Sequence, residues 1–165
     1  MSFRDRLRFD AELGEYRDGD IRYMMIRPDA VMGIVAELPE AMRGEMLQAF
    51  ARSITKAGGG SVRAYRAAGA AEPAQLVATI EETAPQLGWG KWDLRLGEGR
   101  LDLAVRNSPF AAGHGPSASP VCHPVLGMLR AVGPMALACD VVATETSCAA
   151  QGHAECRFKV TGLAA

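Results

Sequence analysis

Apolar positions along the chain change period part-way, from helical spacing before about Leu87 to strict alternation after Gly88. After a polar N-terminal arm, Arg17-Asp18-Gly19-Asp20 reads as a turn that leads into a short strand, Tyr23-Met24-Met25-Ile26. Asp29 then caps a helix in which Val31, Ile34, Val35 and Leu38 recur at i, i+3, i+4 and i+7, and Pro39 stops it. A second helix from about Glu40 buries Met46, Leu47, Phe50 and Ile54. Gly58-Gly59-Gly60 interrupts it, and Val62 to Ala68 continues it beyond a kink. Pro73 opens a third helix, with Leu76, Val77, Ile80, Ala84 and Leu87 on one face and Gly88 as its stop.

Beyond Gly88, Trp92, Leu94 and Leu96 alternate with polar residues, Gly97-Glu98-Gly99 turns the chain, and Leu101, Leu103 and Val105 alternate again. This is a β-hairpin with one wet face. Asn107 to Ala118 has no period and is expected to be a mobile flap or a surface connection. Ser119-Pro120 begins a fourth helix with Val125, Leu126, Leu129 and Val132 as its buried stripe, Cys122 in its first turn and Gly133-Pro134 as its stop. Met135 to Thr144 reads as a strand, and Cys156 to Val160 as its antiparallel partner. Helices first and antiparallel sheet later make an α+β fold, a helical layer packed on a sheet.

A chain of 165 residues with 48% apolar composition suffices for one core, so a single domain over 1–165 is expected. The net charge of −1 supplies no field for nucleic acid or an anionic membrane surface. The N-terminus carries charges every second or third residue. It offers neither a signal-peptide h-region nor a membrane span, so a cytoplasmic location is expected. In that reducing compartment the four cysteines are thiols or metal ligands rather than a disulfide framework. Eight methionines against 6% aromatics make part of the core soft, either as plain gap-filling or as a pliant pocket for an apolar ligand. Met46, Phe50, Trp92, Phe110 and Met128 are the candidate pocket residues, chosen for type and inward direction.

The chemistry concentrates in Glu145-Thr-Ser-Cys148 and Gln151-Gly-His-Ala-Glu-Cys156. Cys156, Phe158 and Val160 share one face of the last strand. Cys139, Val141, Ala143 and Glu145 share one face of the strand before it. Glu145 and Cys148 converge across the strand end and Cys156 returns from the far side of the hairpin, so three ligand-type groups meet. Structural zinc takes four ligands in a tetrahedron. Cys122 is the leading candidate for the fourth, since the start of a helix favours a thiolate. His153 and then Cys139 are the substitutes.

Cys122, Glu145-Thr-Ser-Cys148 and Gly152-His-Ala-Glu-Cys156-Arg-Phe158, with Asn107-Ser-Pro-Phe110 upstream, resemble the signature of the 4-vinyl reductase-type, or hydrocarbon-binding, domain family. This family includes the sensor domains of phenol-responsive activators and a bacteriochlorophyll-synthesis protein. The resemblance is strongest over 107–160. It implies a structural zinc held by Cys122, Glu145, Cys148 and Cys156, whose spacings of 23, 3 and 8 match those of the sensors. It further implies the fold shared with nitric oxide sensors and a Golgi transport subunit, a hydrophobic small-molecule ligand, and a homodimer.

For function, the expectation is a ligand-binding sensor or carrier with a structural zinc and no catalytic residue. No G-x-G-x-x-G follows a strand, and the triple glycine has neither a preceding strand nor a following Lys-Ser/Thr. A tetrapyrrole 4-vinyl reductase, or an accessory protein of bacteriochlorophyll synthesis, is the enzyme alternative; a protein-interaction scaffold is a second. An iron–sulfur cluster on Cys122, Cys139, Cys148 and Cys156 would open electron transfer, but Cys139 lies far down its strand. For haem, His114 and His123 sit in or beside Gly/Pro-rich sequence. No DNA-binding or ATPase module is read in the chain, so the expected role is to hand over a ligand or to contact another protein.

Overall fold

The computed structural model describes residues 2–67 and 72–163. Ser2 and Asp5 form a reciprocal capping box on a short helix, α1 (Phe3–Arg6). The polar arm is not extended coil: β1 (Arg8–Asp10), β2 (Glu15–Asp18) and β3 (Ile21–Tyr23) form a three-stranded antiparallel sheet. Strands of three or four residues are too short to show an alternating pattern, which is why the sequence hides them. The expected strand at Tyr23–Ile26 ends at Tyr23, and Met24, Met25 and Ile26 stand exposed.

Pro28 at the first helical position starts α2 (Pro28–Glu37). Asp29 does not cap it. The cap residue is Arg27, and Asp29 lies inside the first turn, paired with the Arg27 guanidinium. Met32 and Val35 form the buried face, while Ile34 is exposed. Next, α3 (Glu40–Ala67) runs straight through Gly58-Gly59-Gly60, contrary to the expected interruption. Packing decides this: a Cβ on Gly58 would sit 3.3 Å from Ala131 Cβ and against Met128, so the glycine lets another helix approach. Ala68, the end of the expected continuation, lies outside the described residues.

In α4 (Pro73–Gln86) Leu76, Val77, Ile80 and Ala84 are buried as expected, with Thr83 beside them. The hairpin of β4 (Lys91–Gly97) and β5 (Arg100–Arg106) also forms, burying Trp92, Leu94, Leu101, Leu103 and Val105. The segment expected as a mobile flap contains α5 (Pro109–His114). Ser108 caps it through its hydroxyl, Phe110 and Ala111 are buried, and it packs on α2.

Cys122 is the cap of α6 (His123–Leu137) rather than a first-turn residue, and the helix passes through Gly133-Pro134 to end at Ala138 in the left-handed region. The strand expected from Met135 therefore begins six residues later, as β6 (Val141–Ser147). Gly127 is pressed against α3, where a Cβ would meet the Ala51 carbonyl oxygen at 2.4 Å. Thr55 Oγ1 on α3 donates to the carbonyls of Ala51 and Gly127, tying the crossing together. On its other side α6 covers β6 and β7 (Cys156–Gly162).

The larger sheet has the order β4-β5-β7-β6, all antiparallel. Leu101, Val105, Val125, Leu129, Val132 and Val160 fill the layer between α6 and this sheet without contact with water. Each such side chain contributes about 1.5–3 kcal/mol by burial. No helix among the described residues is long and apolar enough to cross a membrane.

Candidate metal centre

Strand pairing carries Cys156 to the centre. It is the first residue of β7, opposite Val105, with Cys156, Phe158 and Val160 facing in and Arg157 and Lys159 facing out. On β6, Ala143 and Glu145 face in. Simple alternation would turn Cys148 away from them. A bulge resets the register, because Glu145 pairs with Phe158 and Ser147 with Arg157, leaving Thr146 as an extra residue. Cys148 then caps a short 3-10 turn (Ala149–Gln151) and joins Glu145 and Cys156. Cys122 arrives from the start of α6.

The ligand atoms of Cys122, Glu145, Cys148 and Cys156 all lie within 4.8 Å of one another, and all four residues are buried. Cys122 Sγ is 3.5 Å from Cys156 Sγ and 3.8 Å from Cys148 Sγ. The Cys122 backbone N–H donates to Glu145 Oε2 at 3.0 Å. Ser108 Oγ is 3.2 Å from Cys122 Sγ, and the Ala149 N–H donates to Cys156 Sγ at 3.2 Å. Sequence reasoning missed these last two supports, although Ser108-Pro109 is a legible helix start.

Cys122, Glu145 and Cys156 differ in how readily each carries charge. Thiol hydrogen bonds from Cys122 and Cys148, helped by the Ala149 N–H, bring Cys156 down to about 3. The same bonds to Cys148 and Cys156, with burial, push the Cys122 thiol up. Burial first, and Cys148 next, push Glu145 up to about 8.

The donor set fits a metal of zinc's kind. Three thiols and a carboxylate in an apolar core match the ligand chemistry of a closed tetrahedral site. Glu145 Oε1 is buried without a hydrogen-bond partner, an oxygen that coordination would satisfy.

The substitutes lie elsewhere. His153 is exposed at the hairpin tip. Cys139 sits in the turn after α6 beside Gly162, at the opposite end of β7 from Cys156, so among the described residues the four-thiol group does not form. His114 ends α5, and His123 opens α6 with Nε2 3.3 Å from Gln48 Nε2.

A cleft of ≈ 820 Å³ lies outside the centre, with Ser108, Ala111, Ser117, Ala149 and Gln151 among its lining. None of the five pocket candidates lines it. Trp92 and Phe110 are core residues, and Met46, Phe50 and Met128 pack half-buried against that core. Phe110 is met edge-on by Phe50 and by Trp89, a neighbour the sequence reading did not include.

The buried Cys/Glu cluster falls inside a segment with a known counterpart. Residues 101–161 match the V4R domain. The resemblance implied by the C-terminal motif therefore holds, and the V4R segment runs from the second residue of β5 to the penultimate residue of β7, with all four candidate ligands inside it. No curated protein matches the chain in sequence. Among solved structures, the phenol-responsive sensory domain of the transcription activator PoxR, with phenol, is similar over 96% of this chain and 86% of its own, at TM-score 0.80 and 17% identity. A trafficking protein particle complex subunit 3 from Naegleria fowleri, covalently bound to palmitic acid, aligns over 81% and 93% at TM-score 0.58 and 10% identity. A vinyl-4-reductase family protein from Methanocaldococcus jannaschii aligns over 86% and 98% at TM-score 0.51 and 13% identity. At such identities the likeness is one of fold, and it agrees with the α+β class and with the Golgi transport relation.

Proposed function

We propose that this chain is a single-domain binding protein for a hydrophobic or aromatic small molecule, acting as a sensor or carrier around a structural zinc. Cys122, Glu145, Cys148 and Cys156 are the zinc ligands. The observation that carries the reading is their convergence within 4.8 Å inside the V4R segment. Four protein ligands leave no open coordination position, so the metal pins the start of α6 to the β6–β7 hairpin and performs no chemistry on a substrate.

Two fold neighbours hold apolar molecules, phenol in one and palmitic acid in the other, which supports an apolar ligand here. Met46, Phe50, Trp92, Phe110 and Met128 form the proposed pocket, opened by movement of the pliant, half-buried Met46 and Met128. The exposed Phe9, Leu13, Met24 and Met25 supply apolar surface for the proposed homodimer, in the cytoplasm. The test is calorimetric titration of the zinc-loaded protein with phenol, toluene and palmitate. Saturable binding with a negative heat-capacity change, weakened in Met128→Lys, is expected. Absence of binding to all three overturns the proposed ligand class.

A protein-interaction scaffold is the second reading. The packing of all five pocket candidates into or against the core favours it.

A further inference from the structure

The outward face of the larger sheet is a charged trough of ≈ 730 Å³ crossing β4, β5 and β7. Five cationic and three carboxylate side chains line it, a local positive surplus in a chain whose net charge is −1. Each carboxylate has an arginine of its own: Asp93 with Arg95, Asp102 with Arg100, and Glu155 with Arg157. Arg106 and Lys159 have no carboxylate partner in ion-pair contact among the described residues, so the surplus resides on them. Strand register places Lys159 opposite Asp102, and Arg157 opposite Ala104, two residues before Arg106.

The face already holds a carboxylate in this way. Hydrogen bonds from Arg95, with the charges of Arg95, Arg106 and Arg157, keep the exposed Asp93 below the usual carboxylate range. Arg106 acts on Asp93 without an ion pair to it, and Lys159 faces Asp102 across the strands without one, so both cations can meet a second acidic group. A phosphodiester backbone fits poorly, because it would run past Asp93, Asp102 and Glu155 with no means of skipping them. Acidic side chains of a peptide, spaced by neutral residues, can interleave with those carboxylates and meet the free cations.

We infer that this trough is an interaction surface for an acidic segment of a partner protein, with Arg106 and Lys159 as its principal contacts. The site is independent of the metal centre, yet β7 belongs to both: Cys156 faces the cluster, and the adjoining Glu155 and Arg157 line the trough.

The experiment is fluorescence anisotropy of the full chain with a labelled peptide of alternating glutamate and glycine, and with a labelled oligothymidylate of equal length. Saturable peptide binding at low salt is expected, weakening as salt is raised. Binding should fall about tenfold in R106E/K159E and about threefold in R106Q/K159Q, whose exposed positions leave the fold unchanged by circular dichroism. Equal peptide affinity in wild type and R106E/K159E, no saturable binding, or tighter binding of the oligothymidylate would each overturn the inference.

Discussion

The backbone N–H of Cys122 donates to Glu145 Oε2 at 3.0 Å, so the cap of α6 is joined to the inner face of β6 by a carboxylate that is also a candidate metal ligand. This bond spans 23 residues and holds the helix start in register with the bulge that delivers Cys148.

Removing that carboxylate leaves a buried N–H without a partner. Glu145→Ala should lower the stability of the metal-free protein by about 1–3 kcal/mol, while Glu145→Gln, which keeps an acceptor, should cost less. Urea denaturation of both variants measures the difference. Equal stability of Glu145→Ala and wild type would show that the bond does not hold the helix start.

Metal entry must displace protons from this cluster. Cys122 is held protonated by its bonds to Cys148 and Cys156, and Glu145 is pushed up to about 8, whereas ligands bind as anions. Both groups carry their protons more readily in the metal-free fold, so zinc affinity should rise with pH and fall on acidification. Zinc titration in buffers of different ionisation enthalpy should show proton release at neutral pH. Buffer-independent heats would contradict this.

At the α3–α6 crossing, a side chain on Gly127 has no room beside the Ala51 carbonyl. Gly127→Val should destabilise by about 1–3 kcal/mol or more through overpacking. A melting temperature unchanged from wild type would mean that the helices separate at little cost.

Leu129, fully buried between α6 and the sheet, is the corresponding test of underpacking. Leu129→Ala should cost about 2–5 kcal/mol, read from the denaturation midpoint. A loss well under 1 kcal/mol would place the core elsewhere.

Much of the site is legible in the sequence because its parts obey local rules. The alternation of Cys156, Phe158 and Val160 reads directly as an inward face, and the Cys122, Glu145, Cys148 and Cys156 motif falls within the residues that match the V4R domain. The long-range contributions are not legible. The Glu145–Ser147 bulge has no composition signal, Gly58 survives in a helix only because Met128 and Ala131 pack on it, and α6 continues through Pro134 because its flanks are buried on both sides. Ser108 and the Ala149 N–H become supports of the thiols only when the sheet folds. The short N-terminal strands lie below the length at which a period can be seen.

The most direct test of the metal centre is elemental analysis with native mass spectrometry on the purified wild type and on Cys148→Ala. One zinc per chain in the wild type, absent from Cys148→Ala, is the predicted result. Wild type without metal, iron with sulfide, or zinc retained undiminished in Cys148→Ala would contradict a structural zinc held by Cys122, Glu145, Cys148 and Cys156.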